Sequence, residues 1–594
     1  MPGPRRLFGS GTRFSLWAPA HAMISLAIEG RSESIPMQRL DGGWHVLDVA
    51  DAGPGTLYRF VLPDGLRVPD PASRFQPQDV HGPSMVTDPD GFAWTDGEWH
   101  GRPWHEAVVY ELHLGTFTSD GTFRAAIEQL DHLHDLGVTA VEIMPVADFP
   151  GARNWGYDGV LLYAPDSSYG TPDDLKALVD AAHARSIMVL LDVVYNHFGP
   201  DGNYLGAYAP GFFTDRHKTP WGDGIHFEAA PVRDFVIGNA IYWITEFHLD
   251  GLRLDAVHAI MDDSRPHVLE ELATRAKALD MARPLHLILE NEGNTVRYLE
   301  RDGARHPRFY TAQWNDDAHH VLHVAATGES EGYYAAYAPG TKLLGRTLAE
   351  GFAYQGEMMA YRGHLRGEPS AGLTPDAFVA FIQNHDQIGN RAFGERICAL
   401  ASHDAVRAIA AVYLLLPQVP MLFMGEEWAA SQPFPFFCDF HAELAEAVRE
   451  GRRNEFARFP AFQDPVMRSR IPDPQAEATF LAAKLDWNDL QHPDHAAWLA
   501  WYRTILAIRK AEILPRIPQI GGHAGRYMTI GRNAVQVLWR CGPSERLILT
   551  ANLSAETIEA PSSEGRALHM EGKIGSDGSF GPWTIRWAVA GSSA

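Results

Sequence analysis

From Val108 onward, short apolar runs alternate with longer amphipathic stretches, the pattern of a parallel sheet covered by helices. The runs predict eight strands, over Val108–Leu114, Ala140–Val146, Met188–Tyr195, Gly251–Val257, His286–Asn291, Thr311–Asn315, Phe378–Asn384 and Val419–Gly425. Between them the 3.6-residue period predicts helices such as Phe123–Leu136, Pro172–Arg185, Val232–Phe247 and Asp404–Leu416. Eight strand–helix units point to an α/β fold, a (β/α)8 TIM barrel, in which the sixth unit has the weakest pattern.

The pattern differs at both ends. Strand-like runs Phe14–Trp17, Met23–Ile28, Gly43–Val49 and Thr56–Leu62, separated by Gly, Pro and Asp turns, predict a small β-sandwich over residues 1–95. The proline-bearing segment Asp70-Pro-Ala-Ser-Arg-Phe-Gln-Pro leads out of it toward a barrel over residues 96–513. After a helix at Ala496–Lys510, strands Tyr527–Ile530, Ala534–Arg540 and Leu547–Leu553 predict a small C-terminal all-β domain over residues 514–594. Two stretches, near 198–231 and 429–489, are too long for ordinary connections, and the first is a candidate to cover a substrate.

Composition narrows the partners. A formal charge of −24 opposes nucleic-acid binding, which needs clustered Lys and Arg, so a neutral substrate fits better. No apolar run reaches the roughly 18 residues of a spanning helix, and the first residues carry two arginines without an apolar core, so the expectation is a cytoplasmic protein without a membrane partner. Cys398, Cys438 and Cys541 are too widely spaced for a metal knuckle and read as thiols of the core.

In such barrels the chemistry sits at the C-terminal ends of strands. Four ends carry ionisable groups after an apolar run: Asp192-Val-Val-Tyr-Asn196-His197, Arg253-Leu-Asp255-Ala-Val-His258, Glu290-Asn291-Glu292 and Asn384-His385-Asp386. One such Asp ordinarily caps a helix or pairs with an Arg. Four in one barrel point to an active site, because burying ionised groups together is costly.

In order, these segments resemble the signature regions of the α-amylase superfamily of glycoside hydrolases, and the N-terminal sandwich resembles the glucan-binding type found in its branching and debranching members. The resemblance implies Asp255 as nucleophile, Glu290 as general acid/base and Asp386 as the carboxylate that holds sugar hydroxyls. It implies that Arg253 keeps Asp255 ionised, that His197 and His385 donate to the sugar on the non-reducing side, and that Asp192 orients its neighbours. Asn196 matches a position that ligates calcium in some amylases, but one Asn falls short of the roughly six to eight oxygens calcium takes, so a loop hydrogen bond is expected and no metal. Tyr157, in Asn154-Trp-Gly-Tyr-Asp158, is the candidate to stack on a sugar, and Trp221 is either a second platform or a pin for its loop.

Longer stretches, among them Val68-Pro-Asp-Pro-Ala-Ser-Arg-Phe-Gln-Pro, Gln313-Trp-Asn-Asp-Asp and Glu450-Gly-Arg-Arg-Asn-Glu-Phe-Ala, resemble the maltooligosyltrehalose trehalohydrolase family. This implies cleavage of the α-1,4 bond next to a terminal trehalose, with no cofactor, and with the leaving sugars near His258 and Asn291. It also implies maltooligosyltrehalose and related α-glucans as substrates, and a partner enzyme that makes maltooligosyltrehalose in trehalose biosynthesis. The alternatives are a glycogen branching enzyme, which shares the covalent intermediate, and a non-catalytic glucan-binding protein.

Overall fold

The computed structural model describes residues 2–591 apart from 8–10, 220, 339, 458–461 and 562–563. At its centre, eight parallel strands close into a barrel: β1 Val109–Leu112, β2 Ala140–Ile143, β3 Met188–Val193, β4 Gly251–Leu254, β5 His286–Leu289, β6 Ala312–Trp314, β7 Phe378–Ala380 and β8 Val419–Phe423. The barrel closes where β1 pairs with β8, setting Val109 beside Met421 and Glu111 beside Phe423. All eight expected strands are present, the sixth included, but most stop two to four residues earlier than the apolar runs predict. The residues past these ends, Asp255, Glu290 and Asn384 among them, belong to the loops above the barrel.

Alternation along each strand divides the core in two. Val109, Ala140, Met188, Leu190, Ile288, Ala312, Trp314, Val379, Val419 and Met421 form one cluster inside the barrel. Tyr110, Val141, Val189, Leu252, Leu287 and Leu422 face the helices instead, in a second and larger cluster. The same period puts Glu111, Glu142, Asp192 and Arg253 on the inward face one layer above the apolar plug. All four are almost fully buried.

The N-terminal residues form two sheets that face each other, with Phe14 of one meeting Tyr58 of the other at 4.6 Å between ring centroids. A five-stranded antiparallel sheet ends the chain, in the order Gly525–Gly531, Ala534–Cys541, Glu545–Asn552, Thr584–Gly591, Arg566–Glu571. It lies against the barrel helix His403–Leu415, where Trp587 Nε1 donates to Ala411 O at 3.0 Å and Arg407 pairs with Glu571.

Several helices differ from the periodic reading. The helix expected over Phe123–Leu136 is two pieces, Phe123–Ile127 and Leu130–Leu136. The first long excursion holds a hairpin, Phe213–Thr219 with Gly222–Ile225, and the second holds the helix Ala442–Phe456 among shorter turns. Of the three cysteines, all free thiols, Cys438 and Cys541 are buried and Cys398 partly so. Among the described residues no helix is long and apolar enough to cross a membrane.

Candidate active site

Arg253, on β4, is the hub. Its side chain is fully buried, so its charge must be met by protein groups, and three carboxylates meet it. Nη1 donates to Asp192 Oδ2 at 2.6 Å and to Asp255 Oδ1 at 2.8 Å, while Nη2 donates to Glu290 Oε2 at 2.7 Å. The indole of Trp314 lies flat beneath the guanidinium, 4.1 Å from its carbon, and adds a cation–π contact. A planar fork with two ends holds two acids of adjacent strands in fixed relation, which a lysine cannot do.

The backbone joins the same pair. Ala256 follows Asp255 in a left-handed conformation, φ 39°, and its N–H donates to Glu290 Oε2 at 2.8 Å. Asn196 Nδ2 donates to both Asp255 Oδ2, at 2.8 Å, and the Asp255 carbonyl, at 2.9 Å. Asn196 thus serves the carboxylate directly, beyond the loop hydrogen bond expected of it.

This environment separates the two acids. Burial works to raise the pKa of Asp255, but Arg253 and the Asn196 amide outweigh it and hold the carboxyl below its ordinary value. For Glu290 the balance is reversed: burial, and then the charges of Asp255, Asp386 and Asp316, push it well above the carboxylate range in spite of Arg253. Burial likewise raises Asp192 to about 6. The surroundings favour the ionised form of one acid and the protonated form of its neighbour, the division of labour that acid-assisted displacement requires.

Asp386 and His385 begin the helix His385–Gly389, capped by Asn384, whose side chain accepts from Asp386 N at 2.9 Å. Asp386 stays partly open to solvent, its side chain 39% exposed. His385 Nδ1 donates to Glu111 Oε1 at 2.5 Å, and Nε2 lies 3.5 Å from Asp386 Oδ1. Although burial opposes it, these two carboxylates hold the His385 imidazole up to about 9, so it remains a cation through neutral pH.

Tyr157 sits on a turn that requires Gly156: at φ 100°, a Cβ there would lie 1.9 Å from Pro145 O. One face of the Tyr157 ring stacks on His385, 5.0 Å between centroids, and its hydroxyl donates to Asp192 Oδ2 at 2.7 Å. His197 already uses both ring nitrogens within the protein, Nδ1 against Asn196 Oδ1 and Nε2 3.0 Å from Tyr157 O. Trp221, at the hairpin tip, stacks on His197 at 4.1 Å and 7° while remaining 51% exposed. It therefore pins its loop and presents a free face.

The other two residues lie on one side of this group. His258 Nδ1 accepts from Glu292 N at 3.3 Å, and Glu292 also pairs with Arg362. Asn291 turns its side chain onto its own loop, where Oδ1 accepts from Gly293 N at 3.1 Å. Reading the strand ends overlooked Glu111, Trp314 and the buried Arg366–Asp317 pair, whose Arg366 Nε donates to Glu292 O and so joins the loops after β5 and β6. An acid inside an otherwise apolar strand, as in Val109-Tyr-Glu111-Leu, is the signal that would have found the first. Among the described residues one group could gather metal ligands, His217, Glu228 and Asp263 of the hairpin region, but Arg216 already sits 2.7 Å from Glu228 Oε1.

A family model described as "Alpha amylase, catalytic domain" matches residues 86–209, and one described as a domain of unknown function matches residues 522–587. A malto-oligosyltrehalose trehalohydrolase from Deinococcus radiodurans is 44% identical over 582 residues, covering 95% of this chain and 92% of the relative. One from Mycobacterium tuberculosis is 41% identical over 581 residues, covering 95% and 97%. A solved structure from Salmonella typhimurium, whose description names an alpha amylase, superposes with a TM-score of 0.95 at 46% identity and covers 99% of both chains.

Proposed function

The chain belongs to the malto-oligosyltrehalose trehalohydrolase family, and from that membership we propose that it cleaves the α-1,4-glucosidic bond next to the terminal trehalose of maltooligosyltrehalose, with retention of configuration. The products are trehalose and a shortened maltooligosaccharide. The observation that carries the mechanism is the single Arg253 fork gripping both Asp255 and Glu290, with Arg253 holding the first carboxyl below its ordinary pKa while burial pushes the second above its own.

A carboxylate oxygen of Asp255 attacks the anomeric carbon, the bond to the trehalose oxygen breaks, and the proton of Glu290 passes to that oxygen. Glu290, now ionised, takes a proton from water, whose oxygen attacks the same carbon and breaks the ester to Asp255. Asp386, open to the solvent side, holds sugar hydroxyls. Arg253 and Asn196 are positioning residues that keep Asp255 charged and aimed, and Asp192 orients Arg253 and Tyr157. Tyr157, His197, His385 and Trp221 line the non-reducing side, and His258 and Asn291 the leaving side.

The protein acts in the cytoplasm beside an enzyme that makes maltooligosyltrehalose, and its chain divides into a sandwich, a barrel and a C-terminal sheet near residues 95 and 513. The test pairs product analysis with a binding measurement. Maltooligosyltrehalose should yield free trehalose and an initial α-anomer at the new reducing end, while Asp255→Ala should lose nearly all turnover yet keep calorimetric affinity for the substrate. New α-1,6 branches without trehalose would instead assign a branching enzyme, and an initial β-anomer would exclude the covalent intermediate.

A further inference from the structure

At the N-terminal end of the barrel, opposite the strand ends that lead to Asp255 and Glu290, a cleft of about 520 Å³ opens where β5, β6 and β7 begin. His286, Thr311 and Asp376 line it from at or just before those strands. Lys277, at the end of the helix Val268–Lys277, and Arg283, Arg301 and Arg305, from the segments on either side of β5, line it as well. Among the described residues of the lining, these four cations face a single carboxylate, Asp376. In a chain of formal charge −24, such a local excess is the reverse of the average surface.

The hydrogen bonds of these side chains leave most of that charge uncompensated. Arg283 Nε lies 3.4 Å from Asp250 Oδ1, but the other three donate to neutral carbonyls. Lys277 Nζ reaches Pro307 O at 2.6 Å, and Arg305 Nη1 reaches Pro518 O at 2.9 Å. Arg301 reaches Leu299 O at 2.8 Å, Tyr310 O at 3.2 Å and Thr311 O at 2.5 Å. A carbonyl satisfies the donor without cancelling its charge, whereas the guanidinium of Arg253 meets three carboxylates. Burial, and then the nearby Arg301, push the Lys277 ammonium down to about 8, and burial lowers Arg301 too. One arginine held on carbonyls can be a staple, as Arg509 is on Leu414, Leu416 and Gln418. Three cations around one open cleft are different, because like charges raise the cost of keeping one another ionised, a cost that a bound anion removes.

We propose that this cleft binds the phosphate group of a small metabolite, seated between Lys277 and Arg301 with Arg305 at the rim. Lysine and arginine hold phosphate oxygens through charge-assisted bonds, the first as a point charge and the second as a planar fork. Leu279, Met281 and Leu285 supply an apolar wall for the body of a phosphate ester. The volume lies within the range of about 300 to 1,000 Å³ typical of small-ligand sites, more than a bare ion fills. The proposal is independent of the reaction at the other end of the barrel.

The test titrates the full chain, carrying Glu290→Gln and saturated with maltoheptaose so that the catalytic end is filled, with glucose 6-phosphate, inorganic phosphate and glucose. Calorimetry should show a saturable site for phosphate and none for glucose. Lys277→Gln should weaken it roughly tenfold or more, and Arg305→Ala, which removes an exposed side chain and leaves Lys277 and Arg301 in place, several-fold. Tighter binding of glucose 6-phosphate than of inorganic phosphate identifies an ester as the ligand, and equal affinity identifies the ion itself. Absence of saturable phosphate binding, equal binding of glucose, or phosphate binding that both substitutions leave unchanged overturns the proposal. A second measurement needs no substitution in the cleft. With its ammonium down near 8, Lys277 is partly neutral at pH 8 and reacts with acetic anhydride, so phosphate should slow its acetylation several-fold relative to the exposed Lys218, read by mass spectrometry. An unchanged ratio overturns the proposal equally.

Discussion

Replacing Arg253 by Met keeps much of the side chain's volume while removing the charge shared by Asp192, Asp255 and Glu290. All three contacts fall between 2.6 and 2.8 Å, and the guanidinium is fully buried, so solvent screening cannot soften the loss. Deleting one partner of a buried ion pair costs about 3–5 kcal/mol, and displacing Asp255, the proposed nucleophile, should lower kcat/KM by on the order of 10²- to 10³-fold. The pH dependence makes the prediction specific. In the wild type Asp255 has a depressed pKa, so its stabilising contribution is present above the unfolded value near 3.9 and is lost as pH falls through the folded value. Without Arg253 that pKa rises, and the contribution becomes a penalty at neutral pH. Asp192, already at about 6, and Glu290 are pushed further the same way. The stability deficit in urea unfolding should therefore be largest near pH 7.5 and shrink at pH 5, where protons replace the missing cation. The acid limb of the kcat/KM profile should move to higher pH. An equal deficit at both pH values, with an unmoved acid limb, would falsify the role of Arg253 as the shared counter-charge.

Two further outcomes test the flanks of the site. Glu111→Gln removes one of the carboxylates that hold His385 near 9, so the His385 NMR titration should move down; since a raised histidine contributes stability that is complete below about 6.5 and lost as pH rises through 9, the variant's deficit should be largest below about 6.5 and shrink as pH rises through 9, and an unmoved titration would refute the pairing. Trp221→Ala should raise KM for maltooligosyltrehalose several-fold and change stability by less than about 0.5 kcal/mol, because half the ring is exposed; an unchanged KM with a lowered unfolding temperature would make the ring only a pin for its hairpin.

The barrel was legible because strands buried on both faces read as apolar runs, and the weakest pattern fell on Ala312–Trp314, only three residues long and interrupted by Gln313. Strand ends were overextended for a physical reason: Asp255, Glu290 and Asn384 follow the apolar run with no turn signal between, yet they lie beyond the strands that end at Leu254, Leu289 and Ala380. The C-terminal strands Arg566–Glu571 and Thr584–Gly591 escaped notice, the former because its side chains are largely exposed and give no alternation, the latter because glycine-rich turns precede it. Of the groups gathered at the candidate site, Asp255, Glu290 and Asp386 could be picked out because they follow apolar strands. Glu111 and Trp314 could not, since their importance comes from partners, His385 and Arg253, that lie far away along the chain.

The pairing of β1 with β8 has a consequence in time. Val109 cannot meet Met421 until the ribosome has delivered both, and at 5–20 residues per second that interval is roughly 15 to 60 s. Throughout it the first strand has a partner on one edge only. The final seal comes later still, because Arg509, which lies beyond β8, donates to the carbonyls of Leu414, Leu416 and Gln418 just before that strand begins. A nascent chain halted before β8 would expose a sticky edge to its neighbours on a polysome, and one halted between β8 and that arginine would still lack the seal.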